Sequence, residues 1–131
     1  MDVSEKRKHT RLPIQIDADI LLPNGMKIAA KTENISFGGL FLRLESSTET
    51  GLQPGMACDI HLLLLWNEQQ VPIQLRCRTV HLHRQGIGFE FIGIESESYG
   101  HFKNLMVMNS TAPDNLLEEL ERYPGIIFEK G

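Results

Sequence analysis

Aromatic residues are scarce, at 7% with a single tryptophan, so the chain offers no clustered platform of rings on which nucleic-acid bases could stack. Cysteine occurs only twice, as Cys58 and Cys77, both inside apolar runs. One such pair, with no secretory leader, reads as two buried thiols in a reducing compartment, not as a disulfide framework. The longest apolar run, "IHLLLLW" from Ile60 to Trp66, is broken by His61 and far too short to span a bilayer, so the expected setting is cytoplasmic with no membrane insertion. A surplus of positive charge is also missing: the formal net charge is -4. A general nucleic-acid binder would more often be basic throughout, because neutralising phosphates supplies most of its affinity.

Several chemical signatures are absent as well. "GIGFEF" begins G-x-G but lacks the third glycine and following helix of a dinucleotide-binding turn. His81-x-His83 lies near Cys77, yet no full ligand set at zinc-site spacing accompanies them. No serine or cysteine stands in a recognisable nucleophile setting. The expectation is a chain with no metal, no cofactor and no catalysis.

What is present fits one domain: 131 residues, 41% hydrophobic and 23% charged, enough to bury a core. Charge is unevenly placed. Residues 1–11 hold Lys6, Arg7, Lys8 and Arg11 against Asp2 and Glu5 for a net +2, leaving -6 for the rest. A basic arm on an acidic body suits a compact anion better than a long polyanion. The arm (residues 1–13) has few apolar groups to offset the roughly 1–2 kcal/mol per residue that ordering costs, and is expected to be mobile until something anionic orders it.

From residue 14 the hydrophobic pattern alternates. In "IQIDADILL", Ile14, Ile16, Ala18, Ile20 and Leu22 share one face, the mark of a half-buried strand. Asn24-Gly25 signals a hairpin, both residues tolerating positive φ, and "KIAAKTEN" is the return strand. "LFLRL" follows the break at "SFGG", with Leu40, Leu42 and Leu44 facing one way. A polar loop ending at Pro54-Gly55 leads to "ACDIHLLLLW" and "VPIQLRCRTVHLH", joined by a loop "NEQQ"; after "RQG" comes a sixth strand, "IGFEFIGI". Six consecutive strands with short connections predict a mainly β fold, an antiparallel sheet closing into a barrel over residues 14–95.

Residues 96–131 read as a helical segment packed on the barrel. Tyr99, Phe102, Leu105 and Met106 recur at helical spacing. A second helix is expected from "TAPD", with Thr111 and Asp114 as a capping box and Pro113 in the first turn. Leu116, Leu117, Leu120 and Tyr123 line its inner face before "YPG" stops it; undocked, the leucines would instead form a docking stripe.

Two short motifs stand out. Arg7 and Arg11 form R-x-x-x-R, and a strand pair later Asn34, Ser36 and Gly39 form N-x-S-x-x-G at a strand–turn–strand junction. In this order, ahead of a predicted six-stranded barrel, they resemble the PilZ domain family of bacterial cyclic di-GMP receptors, over roughly residues 6–94. The ligand's two phosphates and two guanines suit arginine, whose fork bonds a phosphate or guanine O6 and N7 in a bidentate way that lysine cannot copy.

The resemblance implies that Arg7 and Arg11 carry these contacts, with Lys6 and Lys8 adding less directional charge. It also implies that Asn34 and Ser36 bond the guanine edge or nearby sugar-phosphate, and that Gly38 and Gly39 allow a sharp turn close to the ligand. His81 and His83, on the strand before "GIGFEF", are the candidates for a base-stacking side chain, His81 being the better positional match. Lys6, just before the motif, is compatible with a stacked nucleotide pair. The arm would close over the nucleotide and change a surface read by a downstream protein partner, with motility, attachment or exopolysaccharide output as the process. The alternatives are a nucleotide-independent interaction adaptor on the same barrel and, less suited to the charge, a nucleic-acid-binding barrel.

Overall fold

In the computed structural model the described residues are 9–44, 50–122 and the backbone of 127–129; the side chain of Trp66 is not among them. Six strands run β1 Asp17–Leu21, β2 Lys27–Ile35, β3 Gly39–Leu44, β4 Ala57–Trp66, β5 Gln69–Leu82 and β6 Gly86–Glu95. They pair antiparallel in the order β3-β2-β1-β4-β5-β6, and β3 pairs with β6 to close the barrel. Two helices follow, α1 Ser96–Met108 and α2 Pro113–Arg122. A short β7, Ile127–Glu129, lies parallel to the end of β6. β7 continues the edge of β6 that β3 leaves at Glu90, so the C-terminal segment is not wholly helical as expected.

The alternating residues build the interior as the pattern requires. Ala18, Ile20, Ile28, Ala30, Leu40, Leu42, Ile60, Leu62, Ile73 and Leu75 are all buried. Cys58 and Cys77 face one another across β4 and β5 as free, buried thiols. Burial, aided by the Asp59 carboxylate, pushes the Cys58 thiol up to about 11; burial also holds Cys77 well above its ordinary range, with Cys58 and Asp59 adding to it. Both stay protonated and behave as small apolar groups.

Turn chemistry differs from the sequence expectation in two places. At the first hairpin only Gly25 takes positive φ (91°), while Asn24 contributes through its side chain, Oδ1 accepting the Met26 N–H at 2.9 Å. The β4–β5 connection is two residues, not the four of "NEQQ". Asn67 and Glu68 both take positive φ (50° and 64°), matching the strand twist, so Trp66 pairs directly with Gln69.

The helices cap one end of the barrel. Phe102 of α1 is fully buried, edge-on to Phe37 (5.6 Å between centroids) and to Phe91 (5.4 Å). Ser98 Oγ accepts the Gln74 N–H, tying α1 to β5. Helix α2 starts at Pro113 as expected, but it is Ser110 whose Oγ accepts the Ala112 N–H at 3.1 Å on this turn, where a Thr111 cap was expected. Leu116 and Leu120 are buried against the core, so the leucine stripe is docked. Tyr123 and the "YPG" stop lie outside the described residues. No helix among the described residues is long and apolar enough to cross a membrane.

Candidate functional site

Two of the barrel's β-bulges flank one stretch of its outer face. Register slips between Thr32 and Asn34, where Glu33 is the extra residue opposite β3. Strict alternation would send Thr32 and Asn34 inward together; the added residue lets Thr32 and Ile35 both enter the core while Glu33 and Asn34 stay at the surface. The same device recurs between Thr79 and His81 in β5, where Thr79 is buried and Val80 and His81 face outward.

Between the bulges runs an open groove of about 890 Å³, within the range of small-molecule sites. Its floor is β3 from Gly39 to Phe41; Glu33 and Asn34 form one wall, and His81, Gly88 and Glu90 the other. His9 and Arg11 of the arm, and His83, Arg84 and Gln85 at the β5–β6 turn, complete the lining. Arg11, Asn34, Ser36, Gly38, Gly39 and His81 therefore meet at one opening, though they are drawn from three separate stretches of chain. Lys6, Arg7 and Lys8 lie outside the described residues.

The "NISFGG" turn has an internal order that its sequence conceals. Ser36 is buried, and its Oγ accepts the N–H groups of Gly38 and Gly39, each at 3.1 Å, while donating to the Gly39 carbonyl. The Ser36 N–H also donates to that carbonyl at 2.8 Å. The hydroxyl thus holds the turn shut and is engaged with backbone on both its donor and acceptor sides.

Phe37 points inward and is fully buried against Phe102, pinning the turn to α1. Gly39 is required by strand packing: an added Cβ would stand 2.1 Å from the Phe89 carbonyl oxygen, a backbone atom with little room to yield. At Gly38 an added Cβ would instead meet the His9 ring, 2.5 Å from Nδ1.

The described end of the N-terminal arm is docked. Leu12 and Ile35 exchange both backbone hydrogen bonds (2.8 and 2.9 Å), extending β2's pairing into the arm, and Leu12 is buried. Arg11 is exposed and lines the groove.

The groove's two carboxylates are each engaged: Glu33 by Arg43 at 2.9 Å and Glu90 by Arg78 at 2.8 Å. Such exposed pairs add little stability, but they offset negative charge that would otherwise face an incoming anion. His83 lies 5.7 Å from Phe41 and 6.0 Å from His81, centroid to centroid, making a small cluster of flat rings. His9, Phe41 and Arg84 were not singled out from the sequence as site residues, whereas His83 stood second to His81 as a stacking candidate. Each belongs to the groove through folding, and only the "HLHR" run beside a turn hinted at Arg84. Among the described residues no group of three His, Cys, Asp or Glu side chains could hold a metal ion.

On a bulged barrel face, Arg11, a serine-closed turn and several flat rings thus surround one groove. The PilZ domain model matches residues 5–107, and the chain belongs to that family. Among solved structures, the PilZ domain with c-di-GMP of YcgR from Escherichia coli is similar, with a TM-score of 0.63 at 12% identity, covering 92% of this chain and 99% of that one. The Bacillus subtilis inhibitor of motility MotI/DgrA matches with a TM-score of 0.61 at 14% identity, covering 90% of this chain. This chain spans about half of MotI/DgrA, 52% of its length. The PilZ domain of CeSA from a cellulose-synthesizing bacterium matches at a TM-score of 0.54 and 14% identity, over 73% of this chain and 93% of that domain. These likenesses establish the fold. No curated protein sequence matches the chain.

Proposed function

We propose that this chain is a receptor for cyclic di-GMP that acts by binding and not by catalysis. The observation that carries the reading is the meeting of Arg11, Asn34 and the Ser36–Gly39 turn at one groove. An anion bearing guanines is what this mixture of guanidinium, amide and flat rings can recognise. A structural neighbour with the same fold is described as holding c-di-GMP, which supports the choice of nucleotide.

In this reading Arg11 and Arg7 bond the phosphates or the guanine Hoogsteen edges, with Lys6 and Lys8 adding charge. Asn34, set outward by the bulge, reads a base edge. Ser36, Gly38 and Gly39 build the turn, and His81 with His83 supplies a stacking face. The arm ahead of the Leu12 anchor closes over the nucleotide and alters a surface read by a protein partner. Motility control is the process suggested by the inhibitor-of-motility neighbour.

Amide exchange with and without cyclic di-GMP tests this mechanism. Slower exchange is expected over residues 4–12 and 34–39. Unchanged exchange across both segments would leave the nucleotide-independent adaptor as the better reading.

A further inference from the structure

The arm is held from two sides. On one side Leu12 pairs with Ile35 of β2. On the other, the Thr10 backbone N–H and its Oγ1 hydroxyl donate to the two carboxylate oxygens of Glu119 on α2, the hydroxyl at 2.6 Å. The partners are 109 positions apart in sequence, so this contact exists only because the C-terminal helix has docked. α2 is itself fixed by buried Leu116 and Leu120 on either side of Glu119 in the chain. Arg11 lies between the two anchored residues, and His9, on the far side of Thr10, packs over Gly38. Both neighbours of Thr10 line the groove.

We propose that Glu119 is a positioning residue for the ligand: it clamps Thr10 so that Arg11 faces the groove before the nucleotide arrives. The proposal rests on the receptor reading above and assigns helix α2 a part in it. A preset arm does not have to be ordered at the moment of binding, which raises affinity without any added contact to the ligand. The coupling is reciprocal: if the clamp favours the nucleotide, the nucleotide must favour the clamp and protect α2 to the same degree.

The test uses the full chain. Glu119→Ala, which places the best helix former in α2, should speed exchange of the Thr10 amide and weaken cyclic di-GMP binding about tenfold. Glu119→Gln should restore most of the affinity, because its carbonyl can accept the N–H while its amide donates to the hydroxyl. Thr10→Val combined with Glu119→Ala should weaken binding by less than the two single changes together, as expected for partners in one contact. In the unmodified protein the nucleotide should slow exchange along α2.

A purely structural contact would change Thr10 exchange and leave affinity alone; that outcome overturns the proposal. So does unchanged Thr10 exchange in Glu119→Ala, which can be read whether or not the nucleotide binds. No heat from the unmodified protein with cyclic di-GMP would count against the receptor reading itself.

Discussion

Arg11→Ala is expected to weaken cyclic di-GMP binding by about fivefold to more than a hundredfold, while leaving the barrel folded. A good bidentate arginine contact discriminates by roughly 1–3 kcal/mol, and each 1.4 kcal/mol is a factor of ten. Arg11 is exposed, so its truncation removes nothing from the core. Its neighbour Leu12 keeps the arm's end attached through the Ile35 bridge. Arg11→Lys separates charge from fork: it retains the cation but not the paired N–H groups, and should recover only a small share of the loss. Calorimetric titration of the three proteins measures this directly. Equal affinity for all three would remove Arg11 from the site.

The second large effect concerns the turn's hidden anchor. Phe37→Ala should cost about 3–5 kcal/mol of stability, the usual range for emptying a fully buried phenylalanine site, set against the roughly 5–15 kcal/mol by which domains are stable. Phe37 is fully buried and meets Phe102 edge-on at 5.6 Å, so the loss opens a cavity between the turn and α1. Because Phe37 sits inside the Ser36–Gly39 turn, the groove's floor should loosen in step, and nucleotide affinity should fall with stability. Denaturant unfolding monitored by circular dichroism checks the first expectation. A loss below about 1 kcal/mol would mean that the turn is held by its hydrogen bonds alone.

The strands were legible because burial on one face imposes a period of two. β4 matches its apolar run at both ends, Ala57 and Trp66, and the inward residues of β1 to β5 follow the alternation. Helix α1 was equally plain from Phe102, Leu105 and Met106. What stayed hidden depends on register and not on composition. A bulge inserts one residue without a marker of its own, so Asn34 could not be assigned to the outer face from "KTENI" alone.

The motif serine and glycines looked like ligand contacts, yet the fold shows what they do for each other. Ser36 closes the turn, and Gly39 lets β3 approach Phe89. The arm held a single apolar residue in its last positions, Leu12, too little for any periodic signal, yet that residue pairs with β2. Nothing in the sequence pairs Glu119 with Thr10, since the two lie 109 positions apart. β7 is three residues long and is defined only by β6 beside it.

The central claim is that this groove takes a guanine-bearing cyclic dinucleotide, and titration of the unmodified protein with cyclic di-GMP at physiological salt is its most direct test. Saturable heat is expected, with no comparable signal from a single-stranded oligonucleotide. Silence with the dinucleotide, or a steeply salt-dependent response to the oligonucleotide instead, would contradict it.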